Sequence, residues 1–301
     1  MRHAPEHEVE LANRAVDGDP SALEEVVRLV RDPVYRLAVR MAGRPADADD
    51  ATQEILIRVV TRLASWRAEA SLVTWAYRIA VNYLLNLRRT PYERNEITFD
   101  TLGEELAAGL ADADHQGPDA ELLATEVRLS CTQAMLQCLD RPERVAFVLG
   151  EVFALPSAQA GWILDISAAA YRKRLERARQ RIRTFMSARC GLVHPAAPCR
   201  CARRVGTALE RGRIDQNNPV FASHPATRPA PTPTEVGAGA SQMRQLHAAA
   251  TVLRSHPDYT APRSRSTAVL TLLRSGHYPI LSEARGGLPG GRRPRWGPRP
   301  P

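Results

Sequence analysis

Lysine is almost missing from this chain: Lys173 is the only one, and arginine supplies nearly all of the positive charge. Arginine suits phosphate, because its planar fork pairs with two oxygens at once. Aromatic residues make up only 5% of the sequence, so each tryptophan and tyrosine carries information. No apolar run approaches the ~20 residues that a membrane-spanning helix requires. The first residues, MRHAPEHEVELANRAVDGD, are polar and partly acidic, unlike a secretion signal. Five cysteines, an odd number, do not suggest a disulfide framework. These absences predict a cytoplasmic protein with reduced thiols and no membrane insertion.

Catalytic signatures are missing too. All eight histidines, from His3 to His277, lie outside the two well-patterned helical stretches described below. No Ser/His/Asp set, paired carboxylates or glycine-rich phosphate loop stands out, so the sequence does not read as an enzyme. What is present is charge. The formal net charge is +8 and the isoelectric point about 9.7, which favours an anionic partner.

The most informative stretch is DADDATQEILIRVVTRLASWRAEASLVTWAYRIAVNYLLNLRR, Asp47 to Arg89. Asp47 is a good N-cap, and Asp49 and Asp50 place negative charge in the first turn. Ile55, Leu56, Val59, Val60 and Leu63 repeat at helical spacing. A loop from Trp66 follows, then Ser71 as a second N-cap. Leu72, Trp75, Ile79, Ala80, Tyr83, Leu84 and Leu87 form the next apolar stripe, stopped by Pro91. Trp75 falls on that stripe and is assigned to the core; Trp66 and Tyr77 read as more open.

Other segments divide the chain. Residues 1–20 read as a flexible N-terminus. Ser21 and Glu24 form a capping-box signature, and Asp32-Pro33 interrupts or kinks the helix that follows. Residues 21–90 then make a compact bundle. Residues 91–125 are acidic and broken by Gly103, Gly109, Gly117 and Pro118, with one helical turn around Leu102 to Leu110. This linker is either a solvated spacer or an acidic segment lying in a basic channel. Residues 126–188 are helical again, with Cys131 and Cys138 as core residues. They end in a short helix from Ser157, a turn at Asp165-Ile166 and a basic helix capped by Ser167: a helix-turn-helix. Residues 189–283 are Cys/Pro-rich at first and then flexible over 214–240, with a helical pair at Gln242 to Arg254 and Thr267 to Arg274. Residues 284–301 read as a disordered basic tail. The fold class is all-α.

These motifs together resemble the extracytoplasmic-function (ECF) branch of the bacterial sigma-70 family. DADDATQEILIRV is similar to that family's polymerase-binding helix, and WRAEASLVTWAYRIAVN to its promoter-melting loop and helix. EVFALPSAQAGWILDISAAAYRKRLERARQRIR aligns without a gap to its region-four helix-turn-helix. The resemblance covers residues 21 to 188. It implies two small helical domains, sigma region 2 at 21–90 and region 4 at 126–188. The C-terminal extension is then a candidate regulator in cis. Two positions depart from the family: Asp165 replaces the usual turn glycine, and Gly161 replaces a small alanine at a cost of ~1 kcal/mol in helix propensity.

The resemblance also implies roles. Asp49, Asp50, Gln53, Glu54 and Arg58 would bind core RNA polymerase at its β′ clamp helices, with the β flap as a second contact. Trp66, Arg67, Glu69, Ser71, Tyr77, Asn82 and Arg88 would engage the displaced strand of the −10 element. Unstacking a base costs a few kcal/mol, and an aromatic face returns ~1–3 kcal/mol per base. Ala168, Ala169, Tyr171, Arg172, Arg174 and Arg177 would meet the −35 element. The alanines there offer no hydrogen bonds to bases, so shape would contribute much of the readout. An anti-sigma factor is a further candidate partner. The implied function is promoter recognition and melting for transcription initiation; the alternative is a helix-turn-helix regulator that binds DNA alone. The expected cofactor is none. Cys190, His194, Cys199 and Cys201 form C-x3-H-x4-C-x-C, which leaves zinc, redox sensing and an inert packed segment all open.

Overall fold

The computed structural model describes residues 3–87, 97–228, 230–241, 245–262, 267–268 and 270–271. Arg88, Arg89, Pro91 and the basic tail lie outside the described residues, as does half of the expected second extension helix. Every regular element among them is a helix; two isolated bridges, Cys190–Cys199 and Ala226–Tyr259, are the only extended pairings. The all-α expectation holds.

Four helices build the N-terminal bundle: α1 (Glu6–Val16), α2 (Pro20–Ala42), α3 (Pro45–Thr61) and α4 (Leu72–Asn86). The expected flexible N-terminus is therefore helical. Leu11, Ala12 and Ala15 bury one face of α1, and its buried Glu8 accepts a hydrogen bond from the Leu72 amide at 2.6 Å. That bond satisfies one of the free donors at the start of α4. Asp19, not Ser21, caps α2, accepting from the Ser21 and Ala22 amides at 2.9 and 3.2 Å. Pro33 sits inside α2 without ending it. Gly43 closes α2 with a left-handed φ of 85°. Pro45 occupies the first turn of α3, so Asp47 lies inside the helix and does not cap it.

The acidic linker is partly a built element. Helix α5 (Phe99–Ala107) carries a Thr98–Thr101 capping box and buries Leu102 and Leu106. The next helix, α6 (Ala120–Gln137), starts before the expected boundary. It is followed by α7 (Arg141–Phe147), a π-helical turn (Val148–Val152), α8 (Ser157–Leu164) and α9 (Ala168–Arg189). Arg144 is buried where these helices meet α2. It donates to the carbonyls of Leu136 at 2.9 Å and Met41 at 2.7 Å, satisfying carbonyls near two helix ends.

The C-terminal extension packs back onto both units, contrary to the flexible reading of 214–240. Helix α10 (Cys201–Glu210) shares a small core with α6, formed by Leu123, Val127, Val205, Ala208 and Ile214. Phe221 is buried, and its amide and that of Ala222 donate to the buried carboxylate of Glu126. Helices α11 (Pro233–Ser241) and α12 (Gln245–Arg254) follow. Linker acids meet extension arginines: Arg213 pairs with Glu105 at 2.9 Å and Arg203 with Asp114 at 3.3 Å. The described part of the linker is packed and does not stand free in this structure. It is the docking partner of the extension.

Candidate functional site

Helix α3 has two faces. Ile55, Leu56, Val59 and Val60 are buried, which turns Asp50 outward, with Gln53 and Glu54 half-exposed beside it. Arg58 reaches across to α4 and stays half-exposed. Its Nε donates to Glu54 Oε1 at 3.0 Å and its guanidinium lies 4.7 Å from the Tyr83 ring centre. Asp49 turns the other way, towards Tyr35. Burial raises the Tyr35 pKa, and the Asp49 carboxylate raises it further. Tyr35 also stacks on His224 of the extension, with ring centres 5.3 Å apart, and their Oη and Nε2 atoms are 2.8 Å apart. The expected five-residue polymerase face thus keeps Asp50, Gln53, Glu54 and the Glu54-paired Arg58 on one accessible surface, while Asp49 turns towards Tyr35.

The loop between α3 and α4 corrects two expectations about its rings. Trp66 is 5% exposed and its indole N–H donates to the Ala70 carbonyl at 3.0 Å. Ala68 adopts a left-handed φ of 54°, which turns the loop and leaves Arg67 and Glu69 exposed. Tyr77 is buried on α4 and stacks on Phe153, 5.6 Å between centres; burial pushes its pKa up to about 12. Trp75, expected in the core, is the more accessible ring. Trp66 and Tyr77 therefore hold the loop and the α4 face in shape and offer no open stacking surface here. Ser71 is spent on capping, accepting from the Thr74 amide at 3.2 Å.

Asn82 is exposed and belongs to a groove of about 330 Å³ between α3 and α4, with Arg58, Arg62, Tyr83 and Asn86. Arg62, Tyr83 and Asn86 were not singled out from the sequence. Tyr83 falls on the apolar stripe, and its half-exposed ring was hidden by that periodicity. Arg88 lies outside the described residues.

In the helix-turn-helix, Asp165 takes φ 56° and ψ 40°, the left-handed conformation that an Asp tolerates at a turn. Gly161 has a steric reason: a Cβ there would stand 2.9 Å from the Ile166 carbonyl and 3.3 Å from the Ala168 amide nitrogen. Ser167 caps α9, accepting from the Ala170 amide at 3.1 Å. Ala169 and Arg172 are exposed at the start of α9, with Ala168 and Arg174 partly so. Tyr171 is not available to DNA. It is buried, its hydroxyl donates to the Ala146 carbonyl at 3.0 Å, and burial pushes its pKa up to about 12. Further along, Arg177 and Arg181 pair with Glu143, and Arg179 with Glu151. Among the described residues, Arg172, Lys173 and Arg174 have no ion-pair partner. The positive charge left outward therefore gathers at the N-terminal end of α9.

The two units touch. Helix α8 packs on α4, where Arg78 donates to the Trp162 carbonyl at 2.8 Å and to Asp165 at 2.7 Å. Gln159 donates to Thr74 Oγ1 at 2.6 Å. No described helix is long and apolar enough to cross a membrane.

Comparison with known proteins places this geometry. The sigma-70 region 2 family matches residues 26–91, from α2 through the end of α4. The ECF RNA polymerase sigma factor SigE of Mycolicibacterium smegmatis is 32% identical over 174 residues, covering 56% of this chain and 65% of that protein. SigW of Bacillus subtilis, also an ECF RNA polymerase sigma factor, is 27% identical over 168 residues, covering 55% of this chain and 89% of its own. This chain thus spans just under two thirds of the mycobacterial protein. Among solved structures, CnrH in complex with the cytosolic domain of CnrY superposes with a TM-score of 0.45 at 20% identity, covering 61% of this chain and 99% of that one.

Proposed function

We propose that the chain, which carries a sigma-70 region 2 match and is similar to ECF RNA polymerase sigma factors, binds core polymerase through α3 and directs it to promoters that it helps to melt. The observation that carries this reading is one helix with two faces. Asp50, Gln53 and Glu54 form an accessible acidic surface on α3, and the opposite side is fixed in the bundle core. Such a surface gives register and encounter rate against an arginine-rich partner helix.

DNA contacts divide between the units. Arg67, Glu69 and the Arg62/Asn82/Asn86 groove supply polar and cationic groups to a displaced strand. Arg172, Lys173 and Arg174 enter the −35 groove at the start of α9. Contacts with Thr74 and Arg78 cover part of α4, so the strand gains that face only when α8 moves off it.

Run-off transcription with core polymerase tests the reading. The chain should give a promoter-specific transcript only with core enzyme, and Asp50→Arg combined with Glu54→Arg should abolish that transcript and co-purification with core while leaving the fold intact. Promoter binding of equal strength without core would instead identify a stand-alone helix-turn-helix regulator.

A further inference from the structure

Four of the five cysteines converge on one enclosed cavity of about 30 Å³. Cys131 comes from the middle of α6, Cys190 from the end of α9, Cys199 from the loop after it and Cys201 from the start of α10. Seventy residues of chain separate the first from the last. Cys138, the fifth, lies apart, with its thiol 3.3 Å from the Ala134 carbonyl. His194 does not line the cavity.

The backbone around these thiols is tightly drawn. The Gly191 amide donates to the Cys199 carbonyl at 3.1 Å, and the Cys199 amide to the Arg189 carbonyl at 3.2 Å. Only glycine fits at 191, because a Cβ would stand 2.6 Å from the Cys199 oxygen. The amides of Val193 and His194 donate to the Cys190 carbonyl at 3.1 and 3.0 Å, which closes the turn that follows Cys190.

Charge supplies the second observation. Arg128 and Arg204 line the same cavity at 1% and 4% exposure. Among the described residues neither forms an ion pair, and Arg128 Nε has no hydrogen-bond partner. Arg128 donates to Ser255 Oγ at 2.5 Å and to the Pro231 carbonyl at 2.8 Å, and Arg204 to the carbonyls of Glu105 and Leu106 at 3.1 and 3.3 Å, so both cations are held at the cavity wall by neutral acceptors and remain available to an anionic centre. A divalent ion with four thiolates carries a net charge of about −2, which two arginines offset.

We propose that Cys131, Cys190, Cys199 and Cys201 bind one zinc ion as a tetrahedral four-thiolate site that pins the C-terminal extension to α6 and α9. Among the described residues no three ligating side chains are already gathered around a common point. Closing the site therefore requires the sulfurs to rotate about their Cα–Cβ bonds into the cavity. Binding converts four thiols to thiolates and releases four protons, with no change in oxidation state. Cys131 thus takes the place that sequence spacing gave to His194.

Metal analysis of the full-length chain, purified under reducing conditions and reconstituted with zinc, tests this. One equivalent of zinc is expected. Replacing it with cobalt should produce the sulfur-to-metal charge-transfer and tetrahedral ligand-field bands of a thiolate site, a readout that needs no substitution. Cys131→Ser should lose stoichiometric zinc, whereas Cys138→Ser and His194→Ala should keep it. Absence of stoichiometric metal in the unaltered chain, a cobalt spectrum without thiolate bands, or zinc retained in Cys131→Ser would overturn the proposal.

Discussion

Arg78 and Asp165 lie 87 residues apart in sequence, yet their side chains meet at 2.7 Å, joining α4 to the turn of the helix-turn-helix. The same guanidinium reaches the Trp162 carbonyl and lies 4.9 Å from the Trp162 ring centre. The turn that leads into α9 is thus held by α4, the helix proposed to face the displaced strand.

Loosening this contact should change the arrangement of the units more than their stability. Asp165 is 80% exposed, so its ion pair contributes at most about 1 kcal/mol. Asp165→Asn keeps a residue that tolerates the left-handed turn and removes the charge. The expected result is a wider distribution of distances between labels on α3 and α9, with thermal unfolding almost unchanged. Identical distributions in the two proteins would show that the pair does not hold the units together.

Arg172 and Arg179 sit two turns apart on α9 but should behave differently. Arg179 is tied to Glu151, whereas Arg172 points outward without an ion-pair partner among the described residues. Arg172→Ala in the polymerase complex should weaken promoter binding and lower the salt slope by about one phosphate contact. Arg179→Ala should chiefly lower stability, because it leaves a mostly buried carboxylate less well paired. Binding titrations across a salt series, with melting curves beside them, separate the two effects.

The loop between α3 and α4 offers a comparable contrast. Trp66→Ala should cost about 3–5 kcal/mol of stability, the range for removing a buried aromatic side chain. Arg67→Ala and Glu69→Ala should leave denaturant midpoints within ~0.5 kcal/mol of the parent and reduce open-complex formation. Permanganate reactivity of unpaired thymines reads the second effect. A stable Trp66→Ala protein that fails only in strand opening would move the indole from core to contact.

The contrast shows how far sequence pattern reaches. Helical period, Ser71, Ser167 and the turn at Asp165 are local features, and each is found where the pattern puts it. Which ring is buried is not local. Trp66 folds onto its own loop through Ala70, and Tyr77 is covered by Phe153 from the other unit, while Trp75 keeps the more open position that periodicity denied it. The extension misled for a related reason. Its proline and alanine content signals flexibility, but Phe221 and Tyr259 bury against α2 and α6, and Glu126 receives its backbone amides. Cys131 read as core because its partners in the cavity lie beyond residue 189.

His256 makes the fold sensitive to acid. It is 3% exposed, with Nε2 2.5 Å from Thr132 Oγ1 on α6 and Nδ1 3.3 Å from the Tyr259 hydroxyl. Burial holds its pKa well below the usual value, and the cationic Arg40 from α2 and Arg128 from α6 lower it further. The sign follows from which state binds the proton. An unfolded His titrates near pH ~6.5, while the folded one stays neutral until much lower pH. Below about pH 6.5 the unfolded chain therefore takes up a proton that the folded chain refuses, and stability falls by up to ~1.4 kcal/mol per pH unit until the folded pKa is reached. Above that window this contribution is fully present. Denaturant unfolding of the parent and of His256→Gln between pH 5 and 7.5 should show a steeper acid loss in the parent. Parallel pH profiles would mean that other groups, His224 on Tyr35 foremost among them, carry the acid response.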